Sequence, residues 1–247
     1  MVDKALFLGT SGAKSSMHQL TMITNNLANI NTTGFRADYE LMKTENVGGG
    51  DKQSTRVYSS ADKSYSDFKH GPLLHTDRNL DVAIQKEGFI AVQTKEGKEA
   101  YTRAGDLQIS NGFLTTQSGD LVLGTSGVVS VGQVEKIAIG DDGTISARVP
   151  GEHDLVAVNR IKLTNPPLSD LQKGPDGLFY LSGNATSSKQ DDSIRLVTGS
   201  LEGSNVNPVT TLTSLIELSR SFEMHTNLMK TVESLATKAN QILEAGR

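Results

Sequence analysis

Apolar residues along this chain keep three different periods. From 5 to 31 the spacing is helical: Leu6, Ala13, Leu20 and Leu27 stand seven apart, and Ser16, Ile23 and Ile30 follow three residues behind the last three of them. That pattern draws a stripe on one helix, which Met17 is expected to widen. The remaining surface is neutral, because Lys14 is the only charged residue between Ala5 and Phe35. A helix facing water normally carries mixed charge there, so a neutral face suits a helix enclosed by other protein. Asn31-Thr32-Thr33-Gly34-Phe35 reads as the stop, with Gly34 as a left-handed cap and Phe35 folded back on Ile30.

From Arg36 to about Pro72 no helical period survives, and the composition turns polar around Gly48-Gly49-Gly50. This reads as an extended arm, flexible at the triple glycine. Between Leu80 and about Gly199 the apolar runs become short and turn-bounded. Examples are Leu80–Ile84, Phe89–Thr94, Tyr101–Arg103 and Leu155–Leu163, with turns at Asn111-Gly112, Asp142-Gly143 and Asp176-Gly177. Many short strands at such spacing predict an all-β sandwich or barrel-like domain. Gly183–Ser193 reads as a mobile loop.

Helical spacing returns after Asn207-Pro208, an N-cap followed by proline at the first helical position. Leu215, Phe222, Met229, Ala236 and Leu243 form one heptad line, and Leu218, His225, Val232 and Ala239 form a second. Leu228, Leu235 and Ile242 flank the first line. A helix of five heptads is ~55 Å long at 1.5 Å per residue, too long to pack wholly on a small β domain. Its natural partner is the first helix. The fold expected is therefore α+β: an all-β central domain inserted between long N- and C-terminal helices that pair as a coiled coil. The segments are 1–35 (assembly helix), 36–79 (arm), 80–200 (β domain) and 201–247 (assembly helix). The seam is expected to use Leu6, Leu20, Ile23, Leu215, Leu218, Phe222, Met229 and Val232.

Composition narrows the chemistry. The 247 residues include no cysteine and no tryptophan, which excludes disulfides, thiolate metal sites and thiol nucleophiles. A net charge of −4 argues against nucleic acid as a partner. No apolar stretch matches a secretory signal or a membrane span, so neither a cleaved leader nor membrane insertion is expected. Gly9–Ser15 fails the spacing of a phosphate loop, Gly124-Thr125-Ser126-Gly127 is not a nucleophile elbow, and Asp141-Asp142-Gly143 lacks the alternating ligands of a calcium loop. His18, His70, His75, His153 and His225 show no metal-type pairing. His225, on the last stripe, reads as a hydrogen-bonded seam histidine or as a polar residue that sets register. No catalytic group, cofactor or metal is expected.

Three stretches carry a resemblance. Asn25-Asn26-Leu27-Ala28-Asn29-Ile30-Asn31-Thr32-Thr33-Gly34-Phe35-Arg36 resembles the N-terminal signature of the bacterial flagellar rod/hook axial proteins. Leu80–Ile84 through Tyr101-Thr102-Arg103-Ala104-Gly105-Asp106-Leu107 is similar to that family's middle segment, and Leu201-Glu202-Gly203-Ser204-Asn205-Val206-Asn207 to its C-terminal signature. The chain departs from the family at Lys86-Glu87-Gly88, where a local change of turn is expected. It is much shorter than hook members and most like members of the proximal rod, with the distal rod next. The resemblance implies a structural subunit that self-assembles into the axial drive shaft of the basal body and transmits torque. Assembly would run through Asn26, Leu27, Ala28, Asn29, Asn31, Gly34, Phe35, Gly203, Ser204, Asn205 and Asn207. Its partners would be copies of itself, other proximal and distal rod subunits and the flagellar export apparatus, which would deliver it to the periplasm without a cleaved signal. The competing class is a periplasmic glycan-binding or hydrolytic β protein on a coiled-coil stalk, which the lack of tryptophan and of an acid–base pair disfavours.

Overall fold

A computed structural model describes residues 2–46, 57–148, 150–151, 154–183 and 187–245. The chain divides into two units: residues 1–30, 37–68 and 206–247 form the first, and residues 31–36 and 69–205 the second.

The first unit holds two helices and a hairpin. Helix α1 spans Val2–Ala28 and α2 spans Pro208–Ala245. They pack antiparallel: the Gly9 backbone meets Met229 and Leu228, and three residues later Gly12 meets His225. On α1, Gly9, Ala13, Ser16, Leu20, Ile23 and Leu27 form the covered stripe; on α2 it is Leu215, Leu218, Phe222, His225, Met229, Val232 and Ala236. Both alternate in steps of three and four, as a heptad seam requires. Leu6 and Met17 depart from expectation, since both are exposed. At that end the seam runs through Gly9, which leaves Leu6 on the flank. Ala239 and Leu243 lie beyond the described side chains.

The start of α2 follows its sequence signal: Asn207 Oδ1 accepts from the amides of Val209 (3.0 Å) and Thr210 (3.3 Å). The end of α1 does not. The helix stops at Ala28, where the Asn29 amide bonds the carbonyls of Asn25 and Asn26, both at 3.2 Å, and Asn29 Nδ2 donates to Asn25 O at 2.9 Å. Asparagine side chains compete with the helical ladder for backbone partners, so the helix yields before Gly34. Gly34 does adopt a left-handed φ of 67°, but in a separate turn in which the Phe35 amide donates to Thr32 O.

The arm is an antiparallel hairpin, β1 (Asp38–Asn46) with β2 (Val57–Ser66). Its polar composition hides this, because neither strand sustains an apolar–polar alternation along its length. The triple glycine lies outside the described residues.

The second unit is a β domain. Its largest sheet contains strands Phe89–Gln93, Glu99–Thr102, Leu107–Ser110, Phe113–Thr116, Leu121–Gly124 and Phe179–Leu181, all in antiparallel pairings. A second sheet pairs Lys136–Ile139, Thr144–Arg148 and Val156–Arg160. Val82, Ile90, Val92, Leu107, Leu114, Val122, Ile145 and Ile161 are fully buried and form one core. The Asn111-Gly112 turn joins its strands with φ of 52° and 79°, the doubly positive geometry of a two-residue type I′ hairpin. Two late strands close the domain onto its beginning: Leu196–Thr198 pairs Val82–Ile84, and Ser200–Glu202 pairs Leu73–His75. The unit thus begins well before residue 80 and includes 31–36.

Candidate assembly surface and motif junction

The helix pair buries its seam and leaves other apolar side chains in solvent. Phe7 and Met17 on α1 and Val209, Leu212, Ile216, Met224, Leu228 and Leu235 on α2 are all exposed. The hairpin is pinned to α1 by Asn26, which treats Asp38 as a strand would. Asn26 Nδ2 donates to Asp38 O at 2.7 Å, and Asn26 Oδ1 accepts from the Asp38 amide at 2.9 Å. His18 Nδ1 lies 3.4 Å from the Glu40 carboxylate along the same edge. Within the first motif, Leu27 is half-buried, Ala28 and Asn31 are exposed, and Asn29 ends the helix.

In the second unit the three signature stretches converge on one buried cluster. Arg36 ends the first, Arg103 sits in the middle one and Glu202 opens the last; they are 1%, 4% and 1% exposed. Arg36 Nη2 donates to Glu202 Oε1 at 2.7 Å and Arg103 Nη1 to Oε2 at 2.9 Å. The Gly71 amide adds a third bond to Oε1 at 3.2 Å, and Arg103 Nη2 donates to Lys86 O at 2.7 Å. Burial pushes the Glu202 carboxyl up, but the charges of Arg103 and Arg36 and their hydrogen bonds outweigh it and hold it below the ordinary carboxylate value.

Backbone contacts reinforce the junction. The Gly34 amide donates to Glu202 O at 2.7 Å, Gly203 N to Pro72 O at 2.8 Å and Asn205 N to Phe35 O at 3.3 Å. Asn205 Nδ2 reaches Lys69 O at 3.1 Å. The Lys173 ammonium donates to Arg36 O at 2.7 Å and stands 3.8 Å from the centroid of the buried Phe35 ring. Glycine is required where backbones touch: a Cβ at Gly34 would fall 2.3 Å from Arg103 C, and one at Gly71 would fall 2.0 Å from Gly203 O. Ser204 is buried beside this junction. The motif residues Gly34, Phe35, Gly203 and Asn205 thus come together, whereas Asn26 and Asn29 serve the helical unit. Sequence reasoning singled out the glycines and asparagines but passed over Arg36, Arg103, Glu202 and Lys173. For the first three the only local signal is charge inside a signature stretch, and Lys173 lies outside all three stretches.

The remaining candidates sit in ordinary structural settings. Gly9–Ser15 is helical, and the Asp142 carboxylate caps its own turn by accepting from the Thr144 amide and hydroxyl. His75 bonds Ser200, His70 neighbours Glu202, and His153 lies outside the described residues. Among the described residues no three metal-ligating side chains gather, and no helix is long and apolar enough to cross a membrane. Residues 184–186 lie outside the described set, but the end of that loop is tied down. Tyr101 Oη accepts from the Ser188 amide at 2.7 Å, and Lys162 Nζ reaches Ser187 Oγ at 2.7 Å and Glu99 at 2.8 Å.

Paired end helices around an inserted β domain, with motifs spent on junctions instead of reacting groups, define a structural protein. Comparison with known proteins gives the same class. The family described as flagella basal body rod protein matches residues 8–36, the flagellar hook protein FlgE/F/G D1 domain matches 83–147, and the flagellar basal body rod FlgEFG protein C-terminal family matches 197–242. The flagellar basal-body rod protein FlgF of Escherichia coli is 37% identical over 250 residues, covering 98% of this chain and 99% of the relative. FlgF of Caulobacter vibrioides is 31% identical, covering 96% of this chain and 97% of that protein, and a FlgG of Buchnera aphidicola is 28% identical across 96% of this chain and 99% of its own. The chain belongs to the flagellar basal-body rod protein family, whose members are structural subunits and not enzymes.

Proposed function

We propose that this chain is a subunit of the proximal rod that assembles with its own copies and with other rod subunits through α1 and α2. The exposed apolar residues of the two helices are the observation that carries this reading. Phe7, Met17, Met224 and Leu235 stand in solvent on helices whose own seam is already occupied. Water-exposed apolar surface of this kind marks a protein contact. Lys14 is the only charged residue of α1 after Lys4, which further favours enclosure by neighbours. The antiparallel heptad seam supports a coiled-coil pairing, and a layer of such pairs supports torque transmission through interlocked helices. Location in the periplasm-spanning shaft, and delivery by the flagellar export apparatus without a cleaved signal, complete the proposal.

The test is a double charge insertion, Met224→Asp/Leu235→Asp. Both side chains are exposed, so the isolated chain keeps its fold and thermal transition while rod assembly and motility are lost. Normal rods from this variant would overturn the reading.

A further inference from the structure

We infer that His225 seated on Gly12 is the register lock of the helix pair. The apolar stripe of α2 repeats every seven residues through Leu215, Phe222, Met229 and Ala236, and again through Leu218 and Val232. Such a repeat constrains the register only weakly, because a slide of one heptad keeps the α2 stripe facing α1 and changes only which residues meet. The imidazole removes that freedom. It lies against bare backbone: a methyl group at Gly12 would come within 2.5 Å of His225 Cε1 and 2.8 Å of both ring nitrogens. Cβ contacts that short essentially never occur, so any side chain at Gly12 would force the ring out of its present position. A slide of one heptad would carry the ring to Gln19 in one direction and to Ala5 in the other, and both bear a Cβ. Gly9 supports the same register less strictly, with its added Cβ 3.0 Å from Met229 Cγ and 3.2 Å from Leu228 Cδ2. Gly12 and His225 are therefore positioning residues. They decide which flanking residues of α1 and α2 stand at the same height along the pair.

The native absence of cysteine gives a direct test in the full chain by oxidative cross-linking. Thr10→Cys/Met229→Cys reports the observed register, since Thr10 Oγ1 and Met229 Sδ are 3.5 Å apart. Thr10→Cys/Ala236→Cys reports a one-heptad slip, because seven residues span ~10.5 Å of helix, beyond the ~7 Å Cα separation a disulfide tolerates. With His225 and Gly12 intact, the first pair closes and the second does not. Gly12→Ala lowers the yield of the first pair by about fivefold or more, the change that overpacking produces at the mild end of its range. Adding His225→Ala to Gly12→Ala restores that yield, and His225→Ala alone raises closure of the second pair. The lock is overturned if Gly12→Ala leaves the first yield unchanged, if the double variant fails to recover while the β unit melts normally, or if the first pair never closes. These outcomes do not bear on the assembly reading, which stands or falls with rods built from Met224→Asp/Leu235→Asp.

Discussion

Glu202→Gln removes the carboxylate placed between two buried guanidiniums. The glutamine oxygen keeps one acceptor for Arg36 or Arg103, but its amide group turns two N–H donors toward the other guanidinium. Two ion-paired bonds, at 2.7 and 2.9 Å, are replaced by one bond from a guanidinium to an uncharged oxygen and one donor–donor contact. Two cations that are 1% and 4% exposed are then left without their counter-charge. Breaking a buried pair from one side costs about 3–5 kcal/mol, because the surviving charge stays desolvated. For a domain near the size of the β unit this corresponds to a fall in Tm on the order of 10 °C. Thermal and urea unfolding of the full chain, followed through the β-sheet signal, measure it.

The same carboxylate fixes the direction of the pH dependence. Burial pushes Glu202 up, but Arg103 and Arg36 outweigh it and hold the folded-state value below the ordinary 4.5. Its contribution is therefore complete above pH 4.5 and fades as the pH falls through the lower folded value. Wild type loses stability across that acid window, and Glu202→Gln loses less there because its deficit is already present at neutral pH. Replacing all three residues together, Arg36→Met/Arg103→Met/Glu202→Met, removes the charges along with their desolvation and is expected to be far milder than the single change. A Glu202→Gln protein within about 1 kcal/mol of wild type at pH 7 would refute this account, since that is the range of an exposed pair.

Two further perturbations probe the motif residues. Asn26→Ala removes both bonds to Asp38; with each worth about 0.5–1.5 kcal/mol, amide exchange at the base of the β1–β2 hairpin speeds up roughly tenfold while the β unit is untouched. Unchanged exchange there would show that the hairpin is held by other contacts. Gly34→Ala forces a Cβ to within 2.3 Å of Arg103 C at a φ of 67°, so the Arg36–Glu202–Arg103 junction must open; soluble expression with a wild-type melting curve would contradict this geometry.

The helices were legible because periodicity is a local property. Steps of three and four along Ala13–Leu27 and Leu215–Ala236 declare a stripe wherever the chain goes, and Asn207-Pro208 declares a start. The β domain was legible for the same reason, from turn formers at regular intervals. The hairpin of β1 and β2 was not, because strands without alternation carry no period to read. The end of α1 was misplaced because asparagine side chains at 25, 26 and 29 compete with the backbone in ways that depend on what lies nearby. Sequence by itself determined the two helices, the strand-rich middle, their order, the sparse charge of the first helix and, through its three signatures, the family. Only the tertiary structure decided that Arg36, Arg103 and Glu202 meet, that Gly12 is bare because an imidazole occupies its space, and which apolar side chains stay in solvent. Those are contacts between residues up to 213 positions apart, and no local pattern encodes a partner at that range.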